Sequence, residues 1–399
     1  MREFMGYPRR DGKVGIRNQV LILPGGFEEQ KVCEAVAGAV QLTSADLGIA
    51  RTAKDTETIA RVREGLGKTP NVYGVVVMGV SGRGDGDMGG SRLSSGLLAD
   101  AIEKTGKPVA RVGADGPGRG WEGIAQACRE ASRLVWEASR VRRERVPLGK
   151  LHLGVKCGGS DPFSGLAGNP AVGYLFDQVV EAGGTAIFGE TTEVIGAEHV
   201  VARRCVSEKV ARELLDAVDR QERLARESGQ DIRTINPVPS NIAAGISTIE
   251  EKSLGAIHKS GHAPIQGVLQ YGEVPVGSGL YFMDSYVANS SIFLGHAAAG
   301  ASLVIYQLGG GGRNEGLLTG SHGVVAPLMW TTGNPRTAEG MKHAIDFSAA
   351  TVITGEETAE EAGERLLDVV IDIASGTLTM GEMLRYLHPL QMFLQDPTF

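Results

Sequence analysis

The stretch KCGGSDPFSG, Lys156 to Gly165, crowds an ammonium, a thiol, a hydroxyl and a carboxylate around two glycines. Lys156, Cys157, Ser160 and Asp161 are the material of an active-site floor, but each has a plainer reading. Ser160 and Asp161 ahead of Pro162 fit an Asx- or ST-turn. A lone cysteine serves more often as a small buried hydrophobe than as a ligand. A second polar stretch, GETTEVIGAEH (Gly189–His199), carries Glu190, Glu193, Glu198 and His199. Glu193 fits a helix-dipole role, and Glu198 and His199 do not share its helical face, so spacing alone makes no metal site of them. In the third, STIEEKSLGAIHKSGH (Ser247–His262), Ser247 with Glu250 and Thr248 with Glu251 both fit a capping box, which explains at most one pair. Capping leaves Lys252 unexplained, and Glu251 and His258 fall on one helix face.

The elements around these stretches suggest how they meet. LHLGVK (Leu151–Lys156) alternates like a strand, Asn169 and Pro170 fit an N-cap and first turn, and Gly183–Gly184 closes the helix at a natural C-cap. TAIFG (Thr185–Gly189) follows as the next strand. Such a βαβ unit has parallel strands that end on the same edge of the sheet. Cys157–Asp161 follow the first strand, and Glu190 and Glu193 the second. A thiol, a hydroxyl and three carboxylates are therefore expected at one crevice, outside the carboxyl ends of the strands and beside a helix N-terminus able to hold an anion.

The same alternation runs along the chain. Strands are expected at 19–26, 71–79, 107–113, 151–156, 185–189, 265–270, 279–283 and 302–307. Helices are expected at 28–40, 92–105, 121–144, 170–182, 193–204, 207–226, 249–260 and 289–299, with an amphipathic packing helix at 356–374. Short apolar strands between helices imply an α/β fold of two or more doubly wound, mainly parallel-sheet (Rossmann-like) domains. The basic run RVRRERVPLGK (Arg140–Lys150) reads as a solvated helix end and as a boundary. It separates an N-terminal α/β domain, 1–146, from a C-terminal α/β catalytic domain, 147–399, with a sub-boundary near 230–240.

Composition excludes several classes. The 399 residues carry a net charge of −7, so nothing draws the chain to nucleic acid or an anionic membrane. No apolar run reaches the ~20 residues of a membrane span, and the start, MREFMGYPRRDGK, has no apolar signal core. Four cysteines make no disulfide framework, so a cytoplasmic location is expected. GDGDMG (Gly84–Gly89) matches a dinucleotide fingerprint, but Asp85 and Asp87 would face the pyrophosphate, and no NAD is expected. GGGG at Gly309–Gly312 before Arg313 is a loop able to approach an anion.

Several long stretches together resemble the altronate/galactarate dehydratase family, which includes the large subunit of (2R)-sulfolactate sulfo-lyase. They are GYPRRDGKVGIRN (6–18), KCGGSDPFSGLAGNPAVG (156–173), GETTEVIGAEH (189–199), SNIAAGISTIEEKSLGAIHKSG (240–261), GLYFMDS (279–285) and TTGNPRT (331–337). The resemblance implies a lyase that removes a β-leaving group from a hydroxylated small or sugar acid: water as a dehydratase, or sulfite as a sulfo-lyase. It also implies a divalent metal, Fe(II) or Mn(II), for which a thiolate–carboxylate–imidazole set is suited. On this reading Cys157, Glu190, Glu198 and His199 hold the metal. Glu251 and Lys252 are the acid/base pair, and Ser160 and Asp161 orient the substrate. Arg17 pairs its carboxylate, and Asn18, Asn169 and Thr248 complete the binding set.

Departures from the dehydratase pattern bring the chain nearer the sulfo-lyase branch. Where those enzymes carry a Gly-Cys-Glu turn, a Cys-Ser pair and a Thr-Gly-Arg-Gly-Thr loop, this chain has GVSGRGDGD, LPGGFEEQ and QLGGGGRNEG. The family's small N-terminal domain is absent, and a separate small subunit is expected to supply it within an oligomer. A member that binds an acid or a partner without turnover is the alternative of a different class.

Overall fold

The structure is a computed structural model that describes residues 2–24, 32–33, 36–37, 43–44, 53–80, 94–113, 121–287, 289–310 and 325–384. Strands are numbered in chain order. β1 (Glu3–Pro8), β2 (Val14–Gly15), β3 (Gln19–Leu23), β4 (Thr43–Ser44), β5 (Val72–Val80), β6 (Val109–Gly113) and β7 (Glu144–Pro147) belong to the first part of the chain. β8 (His152–Gly158), β9 (Thr185–Phe188), β10 (Ile265–Leu269), β11 (Gly279–Met283), β12 (Leu303–Leu308), β13 (Leu328–Thr332) and β14 (Phe347–Ser348) form the second set.

The second set makes a seven-stranded sheet in the order β10-β11-β9-β8-β12-β13-β14, and every pairing in it is parallel. A four-stranded parallel sheet, β4-β3-β5-β6, lies in the first part, beside a small antiparallel sheet, β2-β1-β7. The fold is thus mixed α/β with a large parallel sheet. β8 occupies the middle strand of the seven. The chain leaves it for β9 on one side and later builds β12 on the other, so a crevice opens at the carboxyl end of β8.

Parallel strands covered on both faces need apolar residues pointing both ways, and the core divides accordingly. Leu153, Val155, Ala186, Phe188, Leu280, Phe282, Leu303 and Ile305 pack with Leu175, Phe176 and Val179 of helix Asn169–Glu181 and Leu366, Leu367 and Val370 of helix Ala359–Ala374. The alternate residues Ile187, Tyr281, Met283, Val304, Tyr306 and Leu308 join Phe293 and Leu294 of helix Asn289–Ala298. That second cluster continues into Val62 and Leu66 of helix Ala53–Lys68 and Val75 and Val77 of β5, so one core is shared by the two parallel sheets.

Three expectations differ from the structure. The helix expected at 121–144 ends at Ser139, and Glu144–Pro147 is β7, antiparallel to β1. Its charged side chains point outward while Val146 is buried, so the run that reads as a solvated helix end is an edge strand. The helix at 193–204 is broken into a 3₁₀ turn, Thr191–Glu193, and a short helix, Glu198–Ala202, because Gly196 between them takes φ +87°. Asn169 does not cap its helix. A π-turn, Ser164–Gly168, precedes it, Asn169 is already helical, and its side chain is left for other use. β13, β14 and helix Ala53–Lys68 add to the expected elements. Most of the helix expected at 28–40, the GDGDMG stretch and residues 311–313 lie outside the described residues. Among the described residues no helix is long and apolar enough to cross a membrane.

Burial of titratable groups gives the fold a pH dependence. Burial, with Lys13 and Lys150 nearby, lowers His152 to about 4. Burial lowers His296 to about 3, although its Nε2 stands 3.1 Å from the Val155 carbonyl. Unfolding lets both take up protons below their ordinary pKa of ~6.5, so stability falls as pH drops from there. Asp346 acts in the opposite sense: burial raises it to about 6, against the Met380 and Trp330 N–H groups that favour its charge. Two histidines outweigh one aspartate, and the folded protein is expected to be roughly 2 kcal/mol less stable at pH 5 than at pH 7. Thermal unfolding at matched ionic strength checks this; an equal or higher midpoint at pH 5 counts against neutral buried histidines.

Candidate active site

The carboxyl ends of β8, β9 and β11 form the site. β8 delivers Lys156 and Cys157 and ends at Gly158. After β9 the chain turns at Glu190, a non-glycine residue with φ 69° and ψ 69°. A side chain in this left-handed region costs energy and persists where its surroundings hold it. Here the Glu190 N–H donates to Ser285 Oγ at 3.0 Å and the Thr191 N–H to the Ser285 carbonyl at 3.1 Å. Thr191 Oγ1 donates to Asp284 Oδ1 at 2.8 Å, locking the β9 turn to the β11 turn.

The strained turn sends the Glu190 carboxylate inward, fully buried. Its Oε2 accepts the Cys157 N–H at 2.9 Å and the Lys259 ammonium at 2.6 Å, and Lys156 Nζ lies 3.5 Å from Oε1. Lys259 also donates to Glu193 Oε2 at 2.6 Å, and Glu193 Oε1 lies 3.9 Å from Lys252 Nζ. Lys252 in turn donates to Asn236 Oδ1 at 2.8 Å. Three ammonium groups thus face two carboxylates in a row of buried charges.

The electrostatics follow from that row. Burial, then the charge of Glu193, pushes Glu190 up. Burial pushes Glu193 the same way, but Lys259, Lys252 and Lys156 outweigh it and hold Glu193 at about 2. Lys259 loses by burial yet is raised by the two carboxylates. Cys157 is pushed up to about 11 by burial and Glu193, against the pull of Lys259.

Beside this row lies a cavity of about 280 Å³ lined by Ser160, Asp161, Asn169, Glu251, Lys252 and His258 among others. Five residues singled out from sequence as catalytic or substrate-binding therefore share one cavity. Ser160 Oγ lies 3.2 Å from Cys157 Sγ, and Asn169 Oδ1 lies 3.8 Å from the same sulfur. The Asn169 amide donates to the Gly255 carbonyl at 2.9 Å. That contact needs a close wall: a Cβ on Gly165 would stand 3.1 Å from Gly255 Cα. His258 is exposed at the cavity mouth, and partial desolvation, then His262 and Arg204, holds it below its usual range.

Two of these five, Asp161 and Glu251, spend their carboxylates on the protein itself, and the remaining expected members lie outside the cavity. Asp161 accepts four bonds: Ser164 N–H at 2.7 Å and Oγ at 2.9 Å, and Gly310 N–H and Asn334 Nδ2, both at 2.5 Å. It ties the loops after β8, β12 and β13 together, with no lone pair spare for a proton. Glu251 is exposed and accepts from the Ser247 N–H at 2.8 Å and from the Ser247 hydroxyl, while Thr248 Oγ1, the N-cap, accepts the Glu251 N–H at 3.2 Å. Thr248 does not line the cavity. Glu198 accepts the Gly196 N–H, and His199 is exposed; neither joins Cys157 and Glu190.

Arg17 and Asn18 serve the N-terminal ribbon. The Arg17 fork is closed on Glu382 by two bonds of 2.7 Å, and it donates further to the Ile373 and Thr377 carbonyls at 2.9 Å. Asn18 accepts from Arg9 at 2.8 Å and donates to the Ala138 carbonyl at 2.6 Å. Arg17→Leu would strand Glu382, whose side chain is 10% exposed, and is expected to cost about 3–5 kcal/mol of stability while leaving KM unchanged. A raised KM with unchanged thermal stability would return Arg17 to the substrate.

The donor set does not fit a divalent metal. Among the described residues no group of three or more His, Cys, Asp or Glu side chains is arranged to hold one. Where Glu190 and Glu193 converge, an ammonium already lies between them. A larger cavity of about 800 Å³, lined by Arg61, Glu64, Lys68 and Glu273 among others, opens between the helices Ala53–Lys68 and Ser95–Glu103. None of the residues at the β8–β9 edge lines it.

Sequence reasoning missed Lys259, Asn236 and Asn241, whose amide donates to the Ser160 carbonyl at 2.9 Å. A lysine at a helix C-terminus is the commonest complement to the dipole, so nothing in its spacing marks Lys259.

Comparison with known proteins places these residues in context. Residues 148–393 match the family described as D-galactarate/altronate dehydratase, C-terminal. Residues 6–139 match D-galactarate dehydratase/altronate hydrolase, second domain. The chain is 35% identical over 388 residues to the (2R)-sulfolactate sulfo-lyase subunit beta of Chromohalobacter salexigens, spanning 96% of this chain and 95% of that one. It is 28% identical over 400 residues to the altronate dehydratase of Bacillus subtilis, spanning 96% and 76%. Over 246 residues it is 34% identical to the galactarate dehydratase (L-threo-forming) of Escherichia coli, spanning 62% and 46%.

Proposed function

Since the chain belongs to the D-galactarate/altronate dehydratase family, whose named relatives are lyases, we propose that it eliminates a β-leaving group from a small 2-hydroxy acid. The observation that carries this reading is the cavity in which Ser160, Asn169 and Lys252 meet beside a charge row with one ammonium in excess. An acid anion entering it meets Lys252, the ammonium of that row on the cavity wall.

The chemistry needs a base, an acid and a stabiliser of negative charge. A base takes the proton from C2. The C2–H electrons form the C2–C3 double bond, and the bond from C3 breaks with its pair going to the leaving group. The enol then takes a proton at C3, gives up the proton of its 2-hydroxyl and becomes a 2-keto acid. His258, at the cavity mouth, is placed to take the first proton, and Lys252 to steady the enediolate and supply a proton to a departing hydroxide. Ser160 and Asn169 orient substrate hydroxyls, with Asp161 holding the Ser160 loop in place.

A dehydratase loses water in this step. Sulfite release is the second reading, favoured by the sulfolactate relative, of which 95% is spanned, against 76% for the altronate dehydratase of Bacillus subtilis. Because that relative is named a subunit beta, a separate small subunit is part of the proposal. Altronate, galactarate and 3-sulfolactate, offered with and without a co-expressed small subunit, test both readings through keto-acid and sulfite assays. A keto acid from any of them supports the elimination, and sulfite alongside it selects the second reading. No product from a folded complex leaves an acid-binding member without turnover.

A further inference from the structure

We infer that the buried centre at the β8–β9 edge is built around the Lys259 ammonium in the place where a divalent cation would sit. The inference rests on the elimination reading for its meaning, but on geometry for its support. Glu190 Oε2 and Glu193 Oε2 each lie 2.6 Å from Lys259 Nζ. A metal bound to both oxygens would stand about 2.0–2.2 Å from each, and so within the volume of that nitrogen. The two cations exclude one another.

The lysine is not a mobile plug. Its side chain is 2% exposed, and its backbone lies in the 3₁₀ turn His258–Ser260. That turn ends at Gly261, which takes φ 63°, and packs on helix Asn169–Glu181 so closely that a Cβ on Gly173 would stand 2.2 Å from the His258 carbonyl. Glu190 Oε2 also takes the Cys157 N–H, while Oε1, without a hydrogen-bond partner, has Lys156 3.5 Å away. With Glu198 bonded to the Gly196 N–H and His199 exposed, Cys157 would be the one remaining soft donor of the expected set.

The consequence is a division of labour. Lys259 binds the two carboxylates together, and Glu193 then sets the neighbouring Lys252, 3.9 Å away, at the cavity wall. Charge developing on the substrate meets an ammonium, and Lys259 is a positioning residue behind it.

Cobalt(II) is the probe, because a cysteine thiolate bound to it gives a charge-transfer band. Wild-type protein, purified without oxygen and stripped with chelator, is expected to hold well under one metal per chain, to show no thiolate band with Co(II), and to keep its turnover. Lys259→Met opens an anionic pocket and is expected to gain one Co(II) with that band, which Cys157→Ser in the same background removes. One tightly held Co(II) with a thiolate band in the wild type overturns the inference. So does loss of turnover on stripping, or a folded Lys259→Met that takes up no cobalt. If Lys259→Met does not fold, the wild-type spectrum and metal count decide. If no acid is turned over, the elimination reading falls, and cobalt uptake still decides this one.

Discussion

Lys259→Met lowers the stability of the folded protein by about 3–5 kcal/mol, the range found when one partner of a buried ion pair is removed. The expectation follows from what remains. Glu190 and Glu193 are 0% and 4% exposed, and without the ammonium between them they confront each other as like charges out of water. Lys156 at 3.5 Å and Lys252 at 3.9 Å are too distant to replace two contacts of 2.6 Å. The penalty falls on a turn already strained at Glu190, where the left-handed backbone is tolerated because its carboxylate has partners. A second substitution discriminates a charge effect from a packing effect. Lys259→Met with Glu193→Gln removes the repulsion along with the ammonium, and is expected to be more stable than Lys259→Met alone, with a coupling in the range of about 0.5–3 kcal/mol. Thermal unfolding followed by near-UV dichroism measures both. A loss below ~1 kcal/mol in the single variant would mean that the cluster opens to water.

How far the site can be read from the sequence depends on whether local or distant contacts place a residue. The meeting of Cys157 with Glu190 is legible because it follows from chain order. Two short apolar strands, joined by a helix closed at Gly183–Gly184, pair in parallel and end together, whatever else the fold does. The residue pattern marks Asn169 as a helix cap, and only the family resemblance gives it a place at the site. The π-turn ahead of it moves it inside the helix and turns its side chain toward Cys157, and no residue pattern announces such a turn. Arg17 looks like a free cation in a loop. Its partner, Glu382, is 365 positions away and brought in by the C-terminal segment after helix Ala359–Ala374. Lys259 is hidden for a related reason: its sequence position fits a surface helix end, and burial comes from packing its 3₁₀ turn on helix Asn169–Glu181. Residues set by strand order are visible, and those set by one tertiary contact are not.

The adjacent pair Glu251 and Lys252 gives the second large effect, because the sequence presents them as one acid/base couple and the fold separates them. Lys252→Met is expected to lower kcat by roughly 10²–10⁴-fold, the scale of a lost acid–base group, with a rise in KM for the acid substrate. Its side chain is 11% exposed, donates to Asn236 at 2.8 Å, and brings the positive end of the buried charge row to the cavity. Methionine keeps the length and the helix propensity, so the change isolates the ammonium. Glu251→Gln is expected to leave kcat within a few-fold. Its carboxylate is spent on the Ser247 N–H and hydroxyl at an exposed helix start, and the loss of a charge at that end costs about 0.3–1 kcal/mol of helix stability. Lys252→Arg restores the charge but not the compact shape, and is expected to recover KM more than kcat. If Glu251→Gln abolishes turnover while Lys252→Met spares it, the carboxylate must leave its cap on substrate binding, and the roles assigned to this pair reverse.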